Sequence, residues 1–154
     1  MKKILLLILV SLALLSTGCG KKEEESDVKN PITEEKFTSA LADYGYIVVD
    51  AIDKVDEDVA EVAKVAVKDD IILQFFVLKT EDGAKELYKK YELEFIKYEG
   101  LVTPVKKSGA NYDSYKLVTD NYYISSRIDK TYVYVKVNTE HVNEVNTILD
   151  ELGY

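Results

Sequence analysis

The chain contains one histidine, His141, and one cysteine, Cys19, so few combinations of its side chains could support nucleophilic catalysis. A serine, threonine or cysteine nucleophile needs a nearby base and a group that orients this base. A histidine-dependent triad would have to use His141, which we place in the first turn of the last predicted helix as a solvated residue. We therefore predict no catalytic residue and no enzymatic activity.

The sequence also lacks the residue spacings that are typical of metal and cofactor sites. No group of cysteines and histidines suits zinc or haem, and no glycine-rich loop could hold a phosphate. An acidic cluster invites calcium, but the sixth position of an EF-hand loop counted from its third member is glutamate instead of glycine. The cluster consists of Asp50, Asp53, Asp56, Glu57, Asp58 and Glu61. We expect a solvated acidic loop without metal or cofactor, and a weak surface calcium site is the alternative.

Pairs of carboxylates can hydrolyse glycosidic bonds when their separation fits a sugar ring. The chain has 28 acidic residues, so some pair will meet any distance rule. A surface glycan or cell-wall hydrolase therefore stays an alternative function for which the sequence singles out no residue.

The first 19 residues have the layout of a secretory signal that ends at Cys19. Two lysines precede an apolar run from Ile4 to Leu15, and small residues up to Gly18 form a cleavage site. This run has 12 residues, whereas a helix needs about 20 apolar residues to span a bilayer. The pattern resembles the lipobox of bacterial lipoproteins, in which the cysteine receives a diacylglyceryl group, and we expect cleavage between Gly18 and Cys19.

Lipidation of Cys19 would hold the mature chain on the outer face of the cell membrane. Two acyl chains such as palmitate, at about 0.8 kcal/mol per buried methylene, anchor a protein stably. Removal of residues 1–18 leaves 18 basic and 28 acidic side chains, a net charge of −10. This charge repels nucleic-acid phosphates and anionic headgroups. We therefore predict membrane contact through the lipid alone and no nucleic-acid partner.

The composition divides the mature chain into a tether and one domain. Residues 19–32 are mostly charged and cannot bury enough surface to offset their ordering entropy, so we predict a flexible tether with a reach of up to about 40 Å. Residues 33–154 are enough for a single domain with a real core.

The predicted elements alternate helices with groups of three strands. The helices run from Thr33 to Gly45, from Thr80 to Gly100 and from about Thr139 to Gly153. The strands are residues 46–49, 62–67, 71–78, 112–118, 122–128 and 131–137, with an irregular stretch at 101–111. The segments FTSALADYGY and VNTILDELGY match in pattern, which indicates a duplicated βββα unit. We predict an α+β domain, in the order α-βββ-α-βββ-α, whose helices pack on one face of an antiparallel sheet.

Several runs of the domain resemble a group of small, uncharacterised surface lipoproteins from clostridia-like Gram-positive bacteria. These runs are YGYIVVDA, ILQFFVLKTEDGAKELY, YYISSRIDKTYVYVKV and ILDELGY. The resemblance covers nearly all of the domain, and it implies an extracellular location and a compact α+β fold. The resemblance does not assign a catalytic role to any residue of this chain.

Tyrosine is the informative excess of the composition, with 12 residues in the chain. The strand period of two places Tyr132 and Tyr134 opposite the valines of the last strand. If the helices cover the valines, the tyrosines face outward with similarly placed residues of the neighbouring strands. We call this set the aromatic face: Phe76, Tyr123, Arg127, Tyr132, Tyr134 and Lys136.

Tyrosine and arginine favour interfaces because each offers a large contact area and a polar group. We therefore predict a non-enzymatic binding or adaptor module that docks a protein or glycan partner on the aromatic face. Two alternatives stay open: a structural envelope component or homodimer joined through the same face, and tyrosines that serve only the sheet or the core. The identity of a partner, the oligomeric state and the physiological process do not follow from the sequence.

Overall fold

The computed structural model describes residues 27–100 and 102–154. Within these residues the chain forms three α-helices, seven β-strands and two short 3₁₀ helices. The elements are α1 (Glu34–Asp43), β1 (Ile47–Asp50), a 3₁₀ helix (Ile52–Lys54), β2 (Ala60–Lys68), β3 (Ile71–Leu78), α2 (Glu81–Glu99), β4 (Val105–Ser108), β5 (Tyr112–Val118), β6 (Asn121–Ile128), β7 (Thr131–Asn138), a 3₁₀ helix (Thr139–His141) and α3 (Val142–Leu152).

All seven strands join one antiparallel sheet in the order β1-β2-β3-β7-β6-β5-β4. The predicted α+β class is confirmed, and the predicted element order fits except for one additional strand. This strand, β4, lies in the stretch predicted to be irregular and pairs with β5. Its sequence VKKS is exposed at every position, so no apolar alternation marked it as a strand.

The three helices lie on both faces of the sheet, so the prediction that they share one face is wrong. Helices α1 and α3 pack on the face that carries the valines of β7, where Phe37 stacks on Phe75 with ring centroids 4.8 Å apart. Helix α2 packs on the opposite face and buries Ala84 and Phe95 there. An apolar stripe on a helix needs an apolar partner, and the tyrosine-bearing face of the sheet supplies one.

The segment before α1, from Asp27 to Ile32, packs on the sheet as part of the domain. The backbone N–H of Lys29 donates to Asn111 Oδ1 at 3.0 Å, and the Asn111 side-chain amide donates back to the Lys29 carbonyl at 2.7 Å. Ile32 is buried in the main core. The predicted flexible tether therefore does not extend over these residues.

Close packing at Gly109 helps to hold this N-terminal segment. A Cβ atom at Gly109 would overlap the carbonyl oxygen of Asp27 and the ring of Tyr112.

The predicted signal sequence, the cleavage site at Gly18 and the lipidated Cys19 lie outside the described residues. Within the residues that are described, no helix is long and apolar enough to cross a membrane.

Candidate functional site

The six residues of the aromatic face share one side of the sheet, but helix α2 covers most of that side. Tyr132, Tyr123 and Arg127 are 0%, 4% and 5% exposed. Phe76 is half-buried, and Lys136 is the exposed member of the set. The prediction of an open aromatic face is therefore wrong.

Aromatic contacts join α2 to the sheet and explain this burial. The ring centroid of Tyr91 lies 4.4 Å from that of Tyr134 and 6.1 Å from that of Tyr132. One turn further along the helix, the ring of Phe95 lies 5.0 Å from that of Tyr123. Burial raises the pKa of Tyr134 to about 12. These tyrosines thus belong to the core, as the structural alternative proposed.

The guanidinium of Arg127 is also buried, and its polar contacts are to other residues of the domain. Its Nε donates to Asp113 Oδ2 at 2.7 Å, and its Nη1 donates to the carbonyl oxygen of Asn111 at 3.3 Å. Glu81, in the first turn of α2, lies 3.6 Å from the same Nη1. Arg127 therefore ties β6 to β5 and to the start of α2, which is a structural role.

A different part of the same sheet face is open. Helix α2 crosses β5, β6 and β7, and it leaves β1, the end of β2 and the start of β3 uncovered, whereas Ala60 and Ala63 at the start of β2 are buried. Ile47, Val49 and Ile72 are 72%, 47% and 44% exposed, and Val65 and Val67 are half-buried. We call these five residues the aliphatic patch.

The strand register places the aliphatic patch in two adjacent rows. Val67 of β2 pairs with Ile47 on one side and Ile72 on the other, and Val65 pairs with Val49. Residues paired across antiparallel strands point to the same face. The patch is therefore continuous over three strands.

Strand β1 adds a free backbone edge to this patch, because it pairs only with β2. Just after β1, the N–H of Ala51 donates to the Ala63 carbonyl at 2.9 Å. Backbone groups alternate in direction along an antiparallel strand, so the odd-numbered residues of β1 bond to β2. Val48 and Asp50 then direct their N–H and C=O groups outward from the sheet.

An acidic turn closes one end of the aliphatic patch. Asp50 follows Val49 directly, and Asp69 and Asp70 form the turn between β2 and β3. The neighbouring cation Lys64 is already paired, with its Nζ at 2.7 Å from both Asp50 and Glu34. Lys64 therefore offsets the charge of Asp50, whose side chain lies on the other face of the sheet, and the negative charge near the patch comes from the β2–β3 turn.

The acidic cluster predicted as a solvated loop does not assemble a metal-binding group in the described part of the chain. Asp50 pairs with Lys64, and Glu61 lies 3.4 Å from Lys130. Asp56 accepts the backbone N–H of Asp58 at 3.0 Å. The calcium alternative gains no support from this geometry.

His141 lies in a different environment from the predicted solvated helix surface. It ends the 3₁₀ helix that precedes α3, and its side chain is 20% exposed beside Asp70 and Glu140. Sequence patterns missed this group because Asp70 lies before β3, whereas Glu140 and His141 follow β7 much later in the chain.

Comparisons with known proteins found no matching family model, no matching curated protein and no matching solved structure.

Proposed function

We propose that this chain is a lipid-anchored extracytoplasmic protein that binds a partner protein through strand β1 and the aliphatic patch. The sequence pattern that ends at Cys19 supports the location, since a short apolar run and small residues precede the cysteine. The observation that carries the binding function is the uncovered half of the sheet face beside the outward backbone groups of Val48 and Asp50.

Addition of a strand from the partner would use both features together. An extended segment beside β1 would form main-chain hydrogen bonds with Val48 and Asp50, each contributing about 0.5–1.5 kcal/mol. Its alternate side chains would cover Ile47 and Val49 and remove their apolar surface from water, at about 25 cal/mol per Å². Exposed aliphatic edges of this kind are rare in monomeric proteins unless they serve an interaction.

The charge around the patch favours a partner with basic residues. Asp69 and Asp70 lie in the turn at one end of the patch, whereas Lys64 offsets the charge of Asp50. A segment with alternating aliphatic residues and flanking lysines or arginines would complement this pattern. A second copy of the chain would instead bring the same carboxylates and the same net negative charge to the interface, so repulsion disfavours a homodimer here.

The proposed anchor would join the domain at a point far from the aliphatic patch. Asp27 is eight residues after Cys19, which allows at most about 29 Å between them. Asp27 packs against the start of β5 through Ala110, whose N–H donates to the Asp27 carbonyl at 3.1 Å. Strand β1 is five strand positions from β5, or about 24 Å across the sheet. The free edge thus lies far from the attachment point.

A synthetic peptide with alternating valine and threonine between two pairs of lysines tests the binding mode. With the full chain in detergent micelles, we expect this peptide to shift the backbone amide resonances of Val48 and Asp50. Val49→Lys should weaken the binding at least about tenfold, because it places a charge in the patch. Val118→Lys is the matched control, since Val118 is 43% exposed on β5, away from β1.

If the peptide binds Val49→Lys and wild type with equal affinity, the proposed binding beside β1 is wrong. A peptide with glutamates in place of the lysines should bind more weakly, and equal binding would contradict the charge argument. A stable dimer in light scattering that Val49→Lys dissociates would assign the edge to a second copy instead. Mass spectrometry of the protein from its native host should find diacylglycerol on Cys19, and an intact Met1 would refute the anchor.

A further inference from the structure

Three side chains with metal-ligating atoms meet at one end of the sheet, on the far side of the β2–β3 turn from the aliphatic patch. The Nε2 atom of His141 lies 3.0 Å from Asp70 Oδ1 and 3.6 Å from Glu140 Oε1. One ligand atom from each residue falls within 4.8 Å of the other two. In the described part of the chain, this is the one group of histidine and carboxylate residues with such spacing.

The pairing of β3 with β7 brings these residues together from distant parts of the sequence. Leu73 pairs with Val135, so the register places Asp70 at the start of β3 across from the end of β7. There, Asn138 Oδ1 accepts the backbone N–H of Glu140 at 3.3 Å and starts the short helix that carries Glu140 and His141. The backbone of two adjacent strands therefore fixes the distance between the carboxylate and the imidazole.

The imidazole nitrogen between the carboxylates makes no hydrogen bond to the described residues. His141 Nε2 is inaccessible to solvent and, of the described residues, it supplies the one buried side-chain nitrogen or oxygen without a hydrogen bond. Asp70 Oδ1 lies 3.0 Å from it without forming a hydrogen bond. Buried polar atoms nearly always have a partner, so this nitrogen is available to a ligand.

The distances fit a metal ion held between the three groups. Zinc binds imidazole nitrogen and carboxylate oxygen at about 2.0–2.2 Å. Two neighbouring ligands of a tetrahedral or octahedral ion are then about 3.0–3.5 Å apart, close to the two separations from Nε2. The carboxylates of Asp70 and Glu140 are 64% and 67% exposed, so they can adjust to an ion.

The local charges leave these two carboxylates for a cation. Glu144, one helical turn after Glu140, is already occupied by Lys68 at 2.8 Å and by the hydroxyl of Tyr46 at 3.0 Å. Asp70 and Glu140 therefore keep two negative charges for a cation, which matches the charge of a divalent ion.

We propose that Asp70, Glu140 and His141 bind a divalent transition-metal ion, with Zn²⁺ as the ion that this ligand set favours. Imidazole selects for zinc and neighbouring transition metals, whereas calcium and magnesium prefer oxygen ligands alone. Three protein ligands leave one position of a tetrahedral ion for water or for a group from another molecule. This site does not depend on the proposed lipid anchor, and it shares Asp70 with the acidic turn beside the aliphatic patch.

Titration of the tag-free full chain in detergent micelles with Zn²⁺ tests this proposal. Calorimetry should find one ion per chain, and the imidazole nitrogen resonances should shift in saturable fashion with the same affinity. The chain has one histidine, so these resonances belong to His141 alone. Asp70→Asn, Glu140→Gln and His141→Ala should each weaken binding at least about tenfold.

Asp69→Asn is the matched control, because it removes the same charge from the adjacent residue of the turn. It should change the zinc affinity within about twofold, and Cys19→Ser should leave the affinity unchanged. Equal weakening by Asp69→Asn and Asp70→Asn would show diffuse attraction and overturn the site. Imidazole resonances that do not move at saturating Zn²⁺ would overturn it as well, whatever the stability of the variants.

Discussion

The burial of Tyr132 under α2 makes a quantitative prediction about stability. Its side chain is 0% exposed, and its hydroxyl lies 2.8 Å from Ser125 Oγ, which is also 0% exposed. Tyr132→Phe removes one partner of this hydrogen bond and leaves the Ser125 hydroxyl unpaired. We expect a loss of about 1–3 kcal/mol in the free energy of unfolding. Tyr132→Ala also removes the ring beneath α2 and should cost about 3–5 kcal/mol.

A double substitution separates the hydrogen bond from the packing. When Ser125→Ala is added to Tyr132→Phe, both partners are gone and no buried hydroxyl is left unpaired. The double variant should then be at least as stable as Tyr132→Phe alone. Tyr98→Phe serves as the control, because Tyr98 is 43% exposed and should change stability by less than about 0.5 kcal/mol.

Urea unfolding of residues 19–154, with Cys19→Ser in every variant, measures these changes. Far-UV circular dichroism suits the assay, since the chain has no tryptophan. An unchanged denaturant slope with a lower midpoint would assign the effect to the native state. If Tyr132→Ala costs less than about 1 kcal/mol, α2 does not cover this face and the burial described above is refuted.

Three further predictions concern charge, burial and close packing. The hydrogen bond from Lys68 lowers the pKa of Glu144. This carboxylate therefore stabilises the fold at neutral pH and loses its contribution as the pH falls through that lowered pKa. In unfolding curves measured in acid, the stability difference between wild type and Glu144→Gln should shrink. Burial raises the pKa of Tyr122 from 10.0 to about 12, so its contribution to folding stability is complete below pH 10 and is lost toward pH 12. Tyr122→Phe should reduce this loss of stability at high pH. Gly109→Ala should displace Asp27 and its neighbours, which limited proteolysis would detect as faster N-terminal cleavage; an unchanged cleavage rate would contradict the packing.

Local signals predicted most elements of this fold, because caps and turns depend on neighbouring residues. The hydroxyl of Thr33 accepts the N–H of Lys36, and that of Thr80 accepts the N–H of Gly83, as expected for helix starts. The β2–β3 turn also lies where the sequence placed it, with a positive φ of 52° at Asp69. Strand β4 escaped prediction because its pairing with β5 leaves no apolar pattern in its own residues.

The candidate sites were less predictable, because they depend on which face a helix covers. Strand parity correctly assigned Tyr132 and Tyr134 to the face opposite the valines. The apolar stripe of α2, however, fits either face, and its contact between Phe95 and Tyr123 joins residues far apart in sequence. The open surface therefore lies at the aliphatic patch and not at the tyrosines.

By itself the sequence determined the α+β class, the order of the main elements and the side of the sheet to which the residues of β3, β6 and β7 point. These properties follow from periodicity and capping within short segments. Only the tertiary structure decided that α2 covers the tyrosines, that β1 remains a free edge and that Asp70 meets His141. The physical reason is that long-range strand pairing and helix packing bring these groups together, and neither leaves a signal in the residues next to them in the chain.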